Sequence, residues 1–212
     1  RDRLVFAADG AQRLTTGVQN LANLSILGLS YNSFAGMSVI GGSESLTILG
    51  EGITSTATLR QTLSMPIIVG ANQTWDGGTG GLTINALSAV GNRSLSITNN
   101  VEVHGTQRID VGSTGTGSLV LSGNSQLSAI LVVGNGSSAV GTVTIDGSGD
   151  SRSGAERTEL LAASLVIGGA GTGTMTVDGG VLAVSLSTLK LGESATGHGT
   201  LQVVDGVVGV TG

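Results

Sequence analysis

Four segments of the chain alternate apolar with small or hydroxylated residues at a period of two: "SLVLSG" at 118–123, "TVTIDG" at 142–147, "TMTVDG" at 174–179 and "TLQVVDG" at 200–206. That period is the signature of a strand with one buried and one solvated face. Leu119 and Leu121, Val143 and Ile145, Met175 and Val177, and Leu201 and Val203 fall on one side, while Thr142, Thr144, Thr174, Thr176 and Thr200 fall on the other. Before each of these segments stands a shorter apolar one ending in glycine: "IDVG" at 109–112, "LVVG" at 131–134, "LVIG" at 165–168 and "LKLG" at 189–192. Most starts recur after 22 to 26 residues; the longer step contains "SRSGAERTE" at 151–159.

A fixed period in this range signals a solenoid, in which each repeat buries its apolar face only by stacking on its neighbours. Corresponding strands of successive repeats then lie parallel, about 4.8 Å apart. The expected fold is all-β, a right-handed parallel β-helix, the hand following the general rule for parallel connections. Nine or ten coils would give a rod of roughly 45 Å. Residues 1–105 carry the same alternation less regularly, in "SLTILGEGI" at 45–53, "GLTINAL" at 81–87 and "SLSITNNVEV" at 94–103, and Pro66 opens a short apolar strand. No shift of composition marks a linker, so 1–212 reads as one β-helical unit, with regular repeats over 106–212 and an insertion at 151–159.

The recurring glycines 112, 134, 168 and 192 mark a corner where φ is positive or backbone passes close to backbone. Asp146, Asp178 and Asp205 each precede a Gly, and read as turn residues whose side chains bond to nearby backbone amides. A calcium ladder would need an acid inside a Gly-rich nonapeptide loop, and "GGAGTGTMT" has none.

Composition narrows the picture. Of 212 residues 37 are Gly, only 11% are charged and 2% are aromatic, so the core must be built mainly from Val, Ile and Leu rather than large rings. The formal net charge is −5 and the basic residues are scattered, which argues against nucleic acid as a partner. The opening "RDRLVFAADG" lacks the apolar core of a signal peptide, and the chain reads as a piece of something larger. Cysteine is absent, as suits either a reducing compartment or an exported chain that must cross a membrane unbridged.

The order "LTILGEGITSTATLRQTLSMPIIVGANQTWDGGTGGLTI" at 46–84, with "LVVGNGSSAVGTVTIDGSG" and "LVIGGAGTGTMTVDGG" further on, resembles the passenger repeats of Gram-negative type V autotransporters, especially AIDA-like adhesins. The resemblance implies a segment exposed on the bacterial surface or secreted after cleavage, attached to the outer membrane only through a translocator barrel that lies outside these residues. It also accommodates the absence of cysteine, because such passengers cross the outer membrane unfolded.

Chemical motifs are sparse. His104 and His198 occur without a ligand cluster, and "GGAGTG" at 168–173 lacks the Lys and helix of a phosphate loop. Glu102, Asp110, Asp146 and Glu159 are the acids that could approach across coils as a glycan-cleaving pair, but sugar sites usually add aromatic platforms, and none follows Trp75. No catalytic, cofactor-binding or metal-ligating residue is therefore assigned. The insertion concentrates charge in a chain otherwise poor in it, which makes Ser151, Arg152, Glu156, Arg157 and Glu159 the candidate partner-binding loop. The expected function is non-enzymatic adhesion, in bacterial aggregation, biofilm or host attachment, with a host surface or a second copy as partner. The alternative is a β-helix scaffold for an enzyme or toxin domain outside the segment.

Overall fold

The structure, a computed structural model, describes residues 2–7, 17–18, 20–32, 39–150, 157–185 and 188–211. All regular structure among them is strand. The first coils are built from β1 (Leu4–Ala7), β2 (Gly17–Val18), β3 (Leu24–Asn32), β4 (Val39–Gly41), β5 (Leu46–Ser55), β6 (Gln61–Ser64), β7 (Ile67–Val69), β8 (Gln73–Asp76) and β9 (Leu82–Ala89). The later ones use β10 (Ser94–Thr98), β11 (Val101–Val111), β12 (Thr116–Ser122), β13 (Gln126–Val133), β14 (Val140–Asp146), β15 (Glu159–Ile167), β16 (Thr172–Ser185), β17 (Leu189–Leu191) and β18 (His198–Thr211). Every named pairing is parallel, and each joins a strand to one about a turn later in the chain. The result is a parallel β-solenoid.

Each turn has three faces. On the first, the later part of β3 stacks on the end of β5, then β8, β10, β12, β14 and the opening halves of β16 and β18. On the second, β4, β6 and the starts of β9, β11, β13 and β15 lead to the later halves of β16 and β18. The third carries the starts of β3 and β5, then β7, the later parts of β9, β11, β13 and β15, and β17. Down the first face Leu29, Ile53, Trp75, Ile97, Leu121, Ile145, Val177 and Val203 stand one above another, about seven turns. The sequence count of nine or ten coils is not confirmed. The step from Ile145 to Val177 is lengthened by the insertion, and residues 8–16 lie outside the described ones.

The alternation places side chains as the sequence predicts. Leu119, Leu121, Val143, Ile145, Met175 and Val177 are buried, and so are Ile109, Val111, Leu131, Val133, Leu165 and Ile167 of the third face. Thr142 and Thr200 are exposed, with Thr144, Thr174 and Thr176 half-buried outside. The last turn departs from this. Leu189, Leu191, Leu201 and Val203 stand in register with core residues beneath them, yet Leu191 and Val203 are 52% and 47% exposed. Among the described residues β17 and β18 have a coil on one side only, so facing inward does not by itself bury them.

Two aromatic residues sit in the aliphatic stack. Tyr31 and Trp75 are fully buried. The Trp75 indole Nε1 donates to Gln73 Oε1 at 2.9 Å, and Gln73 Nε2 donates to the Ile48 carbonyl at 2.9 Å. The polar edge of the indole is thus satisfied inside the core, as a buried donor requires.

The corner from third to first face explains the recurrent glycine. Gly168 has φ +76°, and a Cβ there would lie 2.3 Å from the His198 carbonyl carbon of the next coil. Gly173, just across the turn, would place a Cβ 2.3 Å from Gly168 N. Both demands, left-handed backbone and close approach, exclude any side chain.

Two outcomes follow for chemical denaturation. Ile167→Ala should cost about 2–5 kcal/mol, and Thr176→Ala less than about 0.5 kcal/mol; equal losses would mean that the two faces are misassigned. Gly168→Ala should cost at least about 1–3 kcal/mol through backbone strain, and a wild-type midpoint for that variant would contradict the corner geometry.

Candidate functional site

The insertion leaves the solenoid at the corner between first and second faces, after Asp146. Asp146 Oδ1 accepts from the Ser148 amide at 3.1 Å and the Ser148 hydroxyl at 2.6 Å, closing the Asp turn that the sequence predicts. Two residues later Asp150 fastens the base of the loop. Its Oδ2 accepts from the Thr158 amide, and its Oδ1 accepts from the Thr158 hydroxyl and the Asn124 amide, both at 3.1 Å. The Asn124 amide reaches the Thr158 hydroxyl as well, at 3.2 Å. One carboxylate therefore ties both ends of the excursion to the coil before it, and Thr158 is fully buried.

Of the five residues assigned to the loop, Ser151, Arg152 and Glu156 lie outside the described residues. Arg157 and Glu159 are placed. Glu159 opens β15 and belongs to the coil wall rather than the excursion. Its side chain is 14% exposed, and Arg157 Nη2 lies 3.5 Å from Glu159 Oε1. Asp150 and Thr158 were not singled out from the sequence. The cue is an Asp and a Thr bracketing an interruption of the period, which becomes readable only once the coil edges are known.

The four acids considered as a pair do not converge. Glu102 and Glu159 lie on the second face with Gln126 in register between them, two coils apart or roughly 9.6 Å. Asp110 is on the third face and Asp146 on the first. Each of the first three is engaged locally. Glu102 meets Arg60 at 3.5 Å and His104 at 3.2 Å, and Arg108 Nε lies 2.9 Å from Asp110 Oδ1. The Arg60, Glu102 and His104 side chains are 41–45% exposed, so their pairs contribute little to stability, and Asp110 is less exposed, at 24%. Among the described residues no group of three or more His, Asp or Glu side chains is placed to hold a metal ion.

The other polar feature is the outer side of the first face. Ser94, Ser118, Thr142, Thr174 and Thr200 form one in-register row, and Thr74, Ser96, Val120, Thr144, Thr176 and Gln202 form a second. Where β5, β8, β10 and β12 meet, this surface sinks into an open recess of about 430 Å³.

Asp150→Ala should destabilise the chain by about 1–3 kcal/mol, because it strands buried donors. Asp150→Asn, which keeps an acceptor, should lose less. Thermal melting of the two variants checks this, and a wild-type midpoint for Asp150→Ala would show that the carboxylate does not hold the loop base. Set against known protein families, characterised proteins and solved structures, the chain shows no match.

Proposed function

We propose that this chain is a non-enzymatic adhesive segment, a right-handed β-helical passenger displayed on a bacterial surface or released from it. Its partner is a host surface or a second copy. The observation that supports this reading most directly is the pair of hydroxyl-rich rows on the first face, held in register by the backbone ladder from coil to coil. Such a surface offers many equivalent hydrogen-bonding positions along one side of a rod. Each contact is weak, but repetition and dense display raise the effective concentration, so the sum becomes strong. The insertion, fastened at Asp150, adds a point where one coil differs from the others.

The scaffold reading, in which the solenoid carries an enzyme or toxin domain elsewhere, shares the same architecture. It differs in what a displayed chain does. Displaying the full-length protein on a non-aggregating bacterium should increase settling or host-cell attachment. If neither changes while hydrolytic or toxic activity enters the supernatant, the adhesive reading is wrong.

A further inference from the structure

We propose that the recess on the first face is a binding site for a neutral, extended β-1,4-linked glycan. The inference deepens the adhesive reading and rests on it for its biological meaning, but the site is argued from its own lining.

The recess crosses four successive strand levels, from Gly50 and Glu51 through β8 and β10 to Ser118 and Val120 of β12. It lies where the corner between third and first faces is still short: the chain runs from Val69 to Trp75 through "GANQT", whereas from Ile167 to Val177 the equivalent connection carries a longer Gly-rich turn. Its wall is fixed from inside. Gln73, in the same strand as Thr74, is held by the Ile48 carbonyl and by Trp75, and Asn72 Oδ1 accepts from the Ser94 amide at 2.9 Å. These contacts hold the groove in shape before any ligand arrives, which lowers the entropic cost of binding.

The polar groups that face the recess are available. On the preceding coils the outward hydroxyls satisfy one another, as Ser30 Oγ and Thr54 Oγ1 do at 3.1 Å. Among the described residues the side-chain hydroxyls of Thr74, Ser94, Ser96 and Ser118 have no such protein partner. Hydroxyls both donate and accept, and so do the hydroxyls of a sugar. The only charged side chain in the lining is Glu51, 46% exposed and 3.6 Å from Arg3 Nε. Among the described residues no cation is in the lining, and Glu51 is already paired with Arg3, so nothing in the lining rewards a uronate or sulfate. An extended β-1,4 chain presents the same edge at every second sugar, a repeat close to two coils, roughly 9.6 Å. With no aromatic platform in the lining, affinity per sugar is low, as suits a surface that acts by repetition.

The test is an NMR titration of the purified chain with cellotetraose, with tetragalacturonate as the charged comparison. Saturable shifts should centre on Thr74, Ser94, Ser96 and Ser118 with cellotetraose and be at least tenfold weaker with tetragalacturonate. The triple variant Thr74→Val, Ser96→Val, Ser118→Val removes the three hydroxyls and puts in their place β-branched side chains suited to outward strand positions. It should bind cellotetraose at least tenfold more weakly with an unchanged melting temperature. Glu51→Gln provides a second reading, retaining cellotetraose binding and narrowing the gap to tetragalacturonate. Absence of saturable shifts, shifts confined to another face, or equal binding by the triple variant would overturn the site. Displayed cells that still attach or aggregate while the purified chain ignores cellotetraose would sink this inference and leave adhesion standing; glycan binding by the chain without any cellular adhesion would do the reverse.

Discussion

Everything in this molecule depends on the in-register parallel ladder, because it forces each residue to share its environment with the residues one coil above and below. Strands about 4.8 Å apart leave no room for a side chain to ignore its neighbours. An inward position must therefore be apolar in coil after coil, as Leu121, Ile145 and Val177 are, and a backbone crossing must be glycine in coil after coil, as Gly141, Gly173 and Gly199 are. Repetition in the sequence is a consequence of the ladder rather than an independent feature. The same logic applies to Val203, which is in register with Val177 and 47% exposed, β16 being its ladder neighbour among the described residues.

That dependence also sets what could be read without a structure. The first and third faces were legible because period-two alternation and a closing glycine coincide in them, and the burial of Val143, Ile145, Ile167 and Val177 follows the pattern residue by residue. The second face was not. In "QLSAILVV" and "ELLAASLVI" the chain turns from second to third face inside one continuous strand, through a register shift at Ala129 and Ile130 and no Gly, Pro or Asn-Gly signal. A corner made that way leaves no mark in composition, so each coil read as two strands instead of three. Trp75 was hidden for a related reason: a single aromatic residue in a chain of aliphatic repeats reads as an exception, whereas Gln73 makes it an acceptable member of the stack.

The candidate sites divide along the same line. The insertion was visible as a break in the period, but its fastening was not, because Asp150, Thr158 and Asn124 meet only when the coil before the excursion passes beneath it. Acids that looked pairable by spacing were kept apart, Asp110 and Asp146 on different faces, and Glu102 and Glu159 on one face with a coil between them. The recess was invisible to motif reading because it contains no motif. It is made by outward residues of four successive strand levels, which only the ladder brings together.

The division of labour between the two sides of each strand is what makes such a surface available for binding. Inward positions are held by packing, and truncating one leaves a cavity the neighbouring coils cannot fill. Outward positions carry no such obligation, so Ser, Thr, Asn and Gln can occupy them at little energetic cost. Where outward hydroxyls pair with each other, as Ser30 and Thr54 do, the face is closed to partners; where Thr74, Ser96 and Ser118 are left facing the recess, hydrogen-bonding capacity becomes a surface property. A solenoid can therefore change what it binds by altering corner lengths and outward side chains while its core ladder, and with it the spacing of every contact, stays the same.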